Sequence, residues 1–456
     1  MKRSILLIGL SVVWLAVVAQ TSGSQKAPLG ASYILTDGSK VTKTDESLTS
    51  SSQYYNVVQV TNGTLNMNNC TISKTGDGAS GDNSSFYGTN STVYAGDGTA
   101  SSSTTSAQNA IINMTGGTIT TSSQGANAIF ATNGATINVD GVTIDNSQTV
   151  SRGMHATFGG IINATNMTIT TRKATSSTVA TDRGGGTVTV SESTLTAKGE
   201  KSAVLYSTGT ITATKVTGLS EQGPIATVEG TNYVYINNCD MTSQSEKRGL
   251  YLQQSGSGDA QGKQPVCSVT GSKLTMTNSS APLIYIKNVT GTVDLTDVTL
   301  SIASGKLMVV PESDGSTGTL ALKTTQDSWT YTGMVDAGES TSAVVMVDEN
   351  VTWEGAIDSD NDAQSANVTI ENGATWNLTA NSYVTKLVNN GTINKNGYTL
   401  TCGSQSGNGT INDTTAISAV KEEEDSDGIA YTLNGHRAAK SSKGIIIKNG
   451  KKHIIR

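Results

Sequence analysis

The chain has 456 residues, with 14% charged, 5% aromatic, 49 Gly, 5 Pro and a formal net charge of −6. The 68 Thr and 54 Ser make hydroxyl side chains about a quarter of it. Collagen is excluded by the missing glycine period and scarce proline. Long amphipathic helices are excluded because Thr, Ser, Asn and Gly are poor helix formers. The small net charge argues against a charge-driven disordered chain. A β-rich fold remains, and a repeat would override the two or three domains that length alone suggests.

Lys2 and Arg3 precede an apolar run, Ile5 to Val18, and Ala19 closes a stretch suited to cleavage. Residues 1–19 therefore read as a secretory leader. The run is short for a membrane span of about 20 residues, and no other stretch is long and apolar enough. Residues 20–54 are polar and are expected to form an N-terminal cap.

A repeat begins at residue 55. Leu65-Asn-Met67-Asn-Asn-Cys70-Thr-Ile72 matches Ile112-Asn-Met114-Thr-Gly-Gly117-Thr-Ile119 and Ile137-Asn-Val139-Asp-Gly-Val142-Thr-Ile144. Further copies start at Ile162, Val188, Ile211, Val234, Cys267 and Val293, with Leu320, Val345 and Val368 continuing the series. Apolar and polar residues alternate in each half, as strands require, and the central x-x step changes the parity, so the chain turns a corner there. A third strand precedes each unit as an apolar residue five places before a Gly: Val58, Ile129, Met154, Val204 and Ile225. The glycine supplies a tight turn.

Three short strands in a period near 24 residues predict an all-β, single-stranded parallel β-helix of about 12 coils over residues 55–411. Coils would stack about 4.8 Å apart. Loop insertions are expected at about 75–108 and 255–264. Trp329, Trp353 and Trp376 keep the period and are expected to stack over three coils. Cys70 and Cys239 share one inward slot about seven coils apart, too far for a disulfide, and are expected to be buried thiols. The cysteine spacing fits no metal motif. Residues 412–429 contain an acidic linker, Lys421-Glu-Glu-Glu-Asp-Ser-Asp427, and residues 430–456 read as a β-hairpin of two Ile-rich strands around Asn449-Gly450.

Ser365-Ala-Asn-Val-Thr-Ile-Glu-Asn-Gly-Ala-Thr-Trp376-Asn-Leu, followed by Leu387-Val-Asn-Asn-Gly-Thr-Ile393, resembles the right-handed β-helical passengers of pertactin-like autotransporter adhesins. That resemblance implies a right-handed coil and an adhesin-like, cell-surface role. The pattern departs from that group in lacking a C-terminal β-barrel, so another export route is expected. Tyr431-Thr-Leu433-Asn-Gly435-His-Arg437 and Lys443-Gly444-Ile-Ile-Ile-Lys-Asn449-Gly450-Lys-Lys resemble the short C-terminal sorting module of exported Bacteroidetes proteins. This implies type IX-like secretion, with release or attachment at the outer-membrane exterior.

Parallel β-helices also include pectate-lyase-like enzymes, whose chemistry needs basic and carboxylate side chains gathered on one face. His155 follows the inward Met154 and is expected to point outward, between Phe130 and Thr181 of the neighbouring coils. With Arg152, Asp182 and Arg183 it forms the candidate catalytic patch. Phe130, His155 and Tyr251 are the candidate binding residues. The carboxylates Asp140, Glu192, Asp240, Asp294 and Asp297 are scattered at turns. No metal site is expected, no D-x-D cluster sits on one strand, and Ca²⁺ enters only under a lyase reading. No nucleotide or hydrolase fingerprint occurs, and the pI near 5.2 argues against nucleic acid. The leading expectation is a secreted or surface adhesin-like protein that binds glycans or proteins without catalysis. The alternatives are a polysaccharide lyase or hydrolase, and a structural surface spacer.

Overall fold

A computed structural model describes residues 30–78, 81–311, 315–413, 430–432, 444–448 and 451–455. The leader, residues 20–29 of the expected cap and the acidic run Lys421–Asp427 lie outside the described residues. The chain is an all-β parallel solenoid of about 14 turns, close to the dozen expected. Three long sheets form its sides. Face A has 12 strands, from Ala31–Leu35 to Met334–Ala337. Face B has 15, from Lys40–Thr44 to Leu400–Ser406, and face C has 10, from Ser47–Ser50 to Thr299–Ile302. A fourth sheet of five strands, Trp329–Thr332 to Thr410–Asn412, then replaces face C. Face A stops at Ala337, so the last coils have two sides instead of three.

The alternating pattern creates the core directly. On face B the anchors Leu65, Ile112, Ile137, Ile162, Val188, Ile211, Val234, Cys267, Val293, Leu320, Val345, Val368 and Leu387 are rungs of one ladder. All are buried. Burying each such side chain is worth about 1.5–3 kcal/mol, and the ladder repeats that gain at every coil. The outward neighbours carry their own ladder: Asn113, Asn138 and Asn163 each donate to the asparagine one coil before, at 2.8–2.9 Å.

The B-to-C corner falls on the x-x step. Asn69, Gly116, Gly141, Asn166, Glu192, Lys215, Asn238, Gly271 and Asp297 all have φ between 50° and 69°. This left-handed conformation is natural for Gly and tolerated by Asn and Asp, but strained for Glu192 and Lys215. Each amide bonds the next coil, as Asn69 N does to Thr115 O (2.8 Å), so the corner also satisfies backbone groups.

Several expectations are corrected. Residues 31–50 form a complete coil with three paired strands, so the solenoid starts before residue 55 and that stretch is no separate cap. The insertion at 75–108 contains a core strand, Val93–Ala95, flanked by two loops and the short helix Asp82–Phe86. In the middle coils the inward residues of face A are Leu205 and Ala226 rather than Val204 and Ile225, which are buried just before their strands. The aromatic ladder is Tyr331, Trp353 and Trp376; Trp329 pairs with Val351 and is half-buried. Cys70, Cys239 and Cys267 are buried free thiols, and Cys402 is half-buried. Strands Gly444–Lys448 and Lys451–Ile455 pair as the expected hairpin, and Ala430–Thr432 adds a third antiparallel strand.

Candidate functional site

Outward positions on face A form one continuous column. Register aligns Gln59, Tyr94, Phe130, His155, Ala180, Tyr206, Thr227, Tyr251, Tyr285, Val309 and Asp336. His155 therefore neighbours Ala180, not Thr181 as expected; Thr181 pairs with Ala156. Sequence placed His155 outward from the coil, and it is, but it has no solvent-exposed surface. Phe130 is equally enclosed.

The first insertion makes the cover. Asn127 Nδ2 donates to Ser84 O (2.9 Å), Thr157 Oγ1 to Phe86 O (2.8 Å) and Arg152 Nη1 to Ser85 Oγ (3.1 Å). Beneath it Tyr94 stacks on Phe130, and Phe130 meets His155 edge-on at 5.0 Å. Arg183 joins this insertion to the second. Its guanidinium lies 3.9 Å from the Phe86 ring centre and 3.9 Å from Asp82, and its Nε donates to Asp259 Oδ1 (3.1 Å).

The enclosed groups are electrically unusual. Asp182 Oδ2 lies 3.8 Å from Arg152 Nη2 and 3.8 Å from His155 Nε2. Burial pushes the Asp182 carboxyl up to about 7, against the opposing pull of Arg152. Burial first, and Arg152 second, hold His155 well below the usual imidazole range, so it is neutral. Tyr206 donates to Glu229 Oε2 (2.8 Å), and burial with the nearby carboxylates pushes its phenol well up.

Further along, the column opens. Tyr251 and Tyr285 are half-buried, 5.8 Å apart and inclined at 60°. The Arg248 guanidinium sits over both, 3.9 Å and 4.8 Å from the ring centres. Among the described residues no carboxylate ion-pairs with Arg248. Sequence singled out Tyr251 but missed Arg248 and Tyr285; the shared register, Tyr one place after the inward residue, was the available signal. On face B, Tyr233 and Tyr235 form another exposed stacked pair. A shallow hollow at Trp329 is lined by Lys215, Asp240, Lys273 and Asp297, and Lys273 already faces Asp240 at 3.6 Å.

The column ends in acid. Asp336 and the loop residues Asp358, Asp360 and Asp362 bring carboxylate oxygens within 4.8 Å of one another. Burial and the three other aspartates push Asp336 up to about 6. Oxygen-rich sets of this kind are the ligand type of hard cations such as Ca²⁺. The alternating Asp358-Ser-Asp360-Asn-Asp362 was the sequence signal, overlooked because it lies in a connection and not on a strand. The scattered carboxylates Asp140, Glu192, Asp240, Asp294 and Asp297 stay apart from this group.

Comparison with known protein families, curated proteins and solved structures found no match. Among the described residues no helix is long and apolar enough to cross a membrane.

Proposed function

We propose that this chain is an exported, adhesin-like binding protein that takes acidic glycans on the open part of face A without catalysis. The carrying observation is Arg248, a guanidinium stacked over Tyr251 and Tyr285 with no carboxylate partner among the described residues. A guanidinium fork matches a carboxylate bidentately, and tyrosine faces accept the apolar face of a sugar ring. A uronate-bearing polysaccharide supplies both. The leader-like start and the sorting-like tail support export to the cell exterior through a type IX-like route. A cleaving enzyme centred on His155, Asp182 and Arg183 is less favoured, because His155 is enclosed and Arg183 is already engaged by Asp82 and Asp259.

The test is binding of the protein to immobilised polyuronates and neutral glycans, alongside Arg248→Ala and Tyr251→Ala. Binding to polyuronate should weaken at least about tenfold in each variant, equivalent to about 1.4 kcal/mol. Unchanged binding in both, or no polyuronate binding by the wild type, rejects the site. Removing residues 430–456 should retain the protein inside the cell, and normal secretion of the truncation would remove the export reading.

A further inference from the structure

The enclosed part of face A contains polar groups that do not complete one another. Neither ring nitrogen of His155 has a hydrogen-bond partner, although the side chain has no exposed surface. A buried polar group without a partner is costly, so an intended partner is the natural explanation. Asp182 Oδ2 stands 3.8 Å from both His155 Nε2 and Arg152 Nη2, beyond hydrogen-bond distance. Both neighbours are anchored elsewhere: Arg152 Nη1 bonds Ser85, and Asp182 Oδ1 accepts from the Arg183 amide (2.9 Å). His155 Nε2 and Arg152 Nη2 therefore both stand just outside hydrogen-bond reach of one carboxylate oxygen. The next rung is Ala180, the smallest side chain of this stretch of the column.

The charges select the guest. A carboxylate would face Asp182, with Glu229 near by; an ammonium would face Arg152. A hydroxyl can accept from Arg152 while donating to Asp182 or His155. The cover supplies a second contact. Arg183 occupies the Phe86 ring face at 3.9 Å, so releasing Arg183 from Asp259 and Asp82 uncovers an aromatic face on the cover, one residue after Ser85, which bonds Arg152.

We propose that His155, Arg152 and Asp182 form a second binding site, for a hydroxyl of an uncharged sugar residue whose ring packs on Phe86 once Arg183 releases. This site uses none of the residues of the Arg248 site and does not depend on it.

The test is imidazole nitrogen NMR on the full chain. His155 is distinguished from the two tail histidines, His436 and His453, by its loss in His155→Gln. Gluco-, manno-, galacto- and chito-oligosaccharides are titrated into wild type, Arg183→Ala and Asp259→Asn; the last loosens the cover if Arg183→Ala misfolds, which circular dichroism reports. The expected result is a His155 shift with at least one neutral series. Half-saturation should fall at least tenfold lower in a loosened variant, the shift should disappear in Asp182→Asn, and it should persist in Tyr251→Ala. No shift with any series in either loosened variant overturns the site and leaves a structural water as the sole guest. A shift abolished by Tyr251→Ala assigns binding to the open site alone and also overturns it.

Discussion

Replacing Trp376 with Ala tests how stability is distributed along the solenoid. Trp353 and Trp376 have no exposed surface, stack at 4.9 Å, and donate from Nε1 to Gly333 O and Gly355 O at 3.0 Å. A buried Trp→Ala change costs about 3–5 kcal/mol through lost transfer and a residual cavity. The lost stack adds about 1 kcal/mol, giving about 4–6 kcal/mol in all. Each coil touches mainly its neighbours, so this loss should stay near the substitution. Hydrogen exchange read by peptide mass spectrometry is the assay. Amides of residues 351–412 should exchange at least about a hundredfold faster, while those of 56–250 keep their wild-type rates. Trp329→Ala, outside the stack, should give a smaller change. Equal loss of protection along the whole chain, or less than tenfold change near residue 376, would refute the nearest-neighbour argument.

Other outcomes follow from the same geometry. Gly117→Val should destabilise by about 3 kcal/mol or more in urea melts, since φ is 90° and a Cβ would meet the Cys70 carbonyl oxygen. Glu192→Gly should be neutral or raise stability by up to about 1 kcal/mol, because it relieves a left-handed backbone. Cys402 should react with a thiol reagent under native conditions, while Cys70, Cys239 and Cys267 react only on unfolding; burial pushes Cys267 up to about 12. Asp336 titrates in the fold at about 6, above about 3.9 unfolded. Its favourable contribution is therefore complete below about pH 4 and lost as pH rises through 6. Asp336→Asn should raise the unfolding free energy at pH 7.5 by about 1–2 kcal/mol after allowing for solvent screening, and change it little at pH 4.

The solenoid was legible because its signals are local and repeated. Alternation marked the face B ladder from Leu65 to Leu387, and the parity step marked the corner from Asn69 to Asp297. Errors arose where period and side-chain direction separate. Trp329 keeps the period, but its strand places Tyr331 in the inward slot, so the stack is displaced by two residues. Val93 lies five places before Gly98, the signal used elsewhere, yet the Gly- and Ser-rich surroundings hid it. The enclosure of His155 was illegible for another reason: Ser84, Ser85 and Phe86, some 70 residues away on a short helix outside the period, bond Asn127, Arg152 and Thr157 around it. The acidic quartet combines a readable Asp358-to-Asp362 alternation with Asp336 from the preceding coil, and only the fold brings them together.

The termination of face A gives the molecule a direction. From Tyr285 the outward column runs two rungs, about 10 Å, before reaching Asp336, where the sheet ends and four carboxylates converge. The same surface thus carries a cation at Arg248 and a repelling barrier a short distance towards the C-terminal end. An anionic polymer of the kind proposed for Arg248 would be repelled from that end. The narrowing of three sides to two sets where this outward column stops.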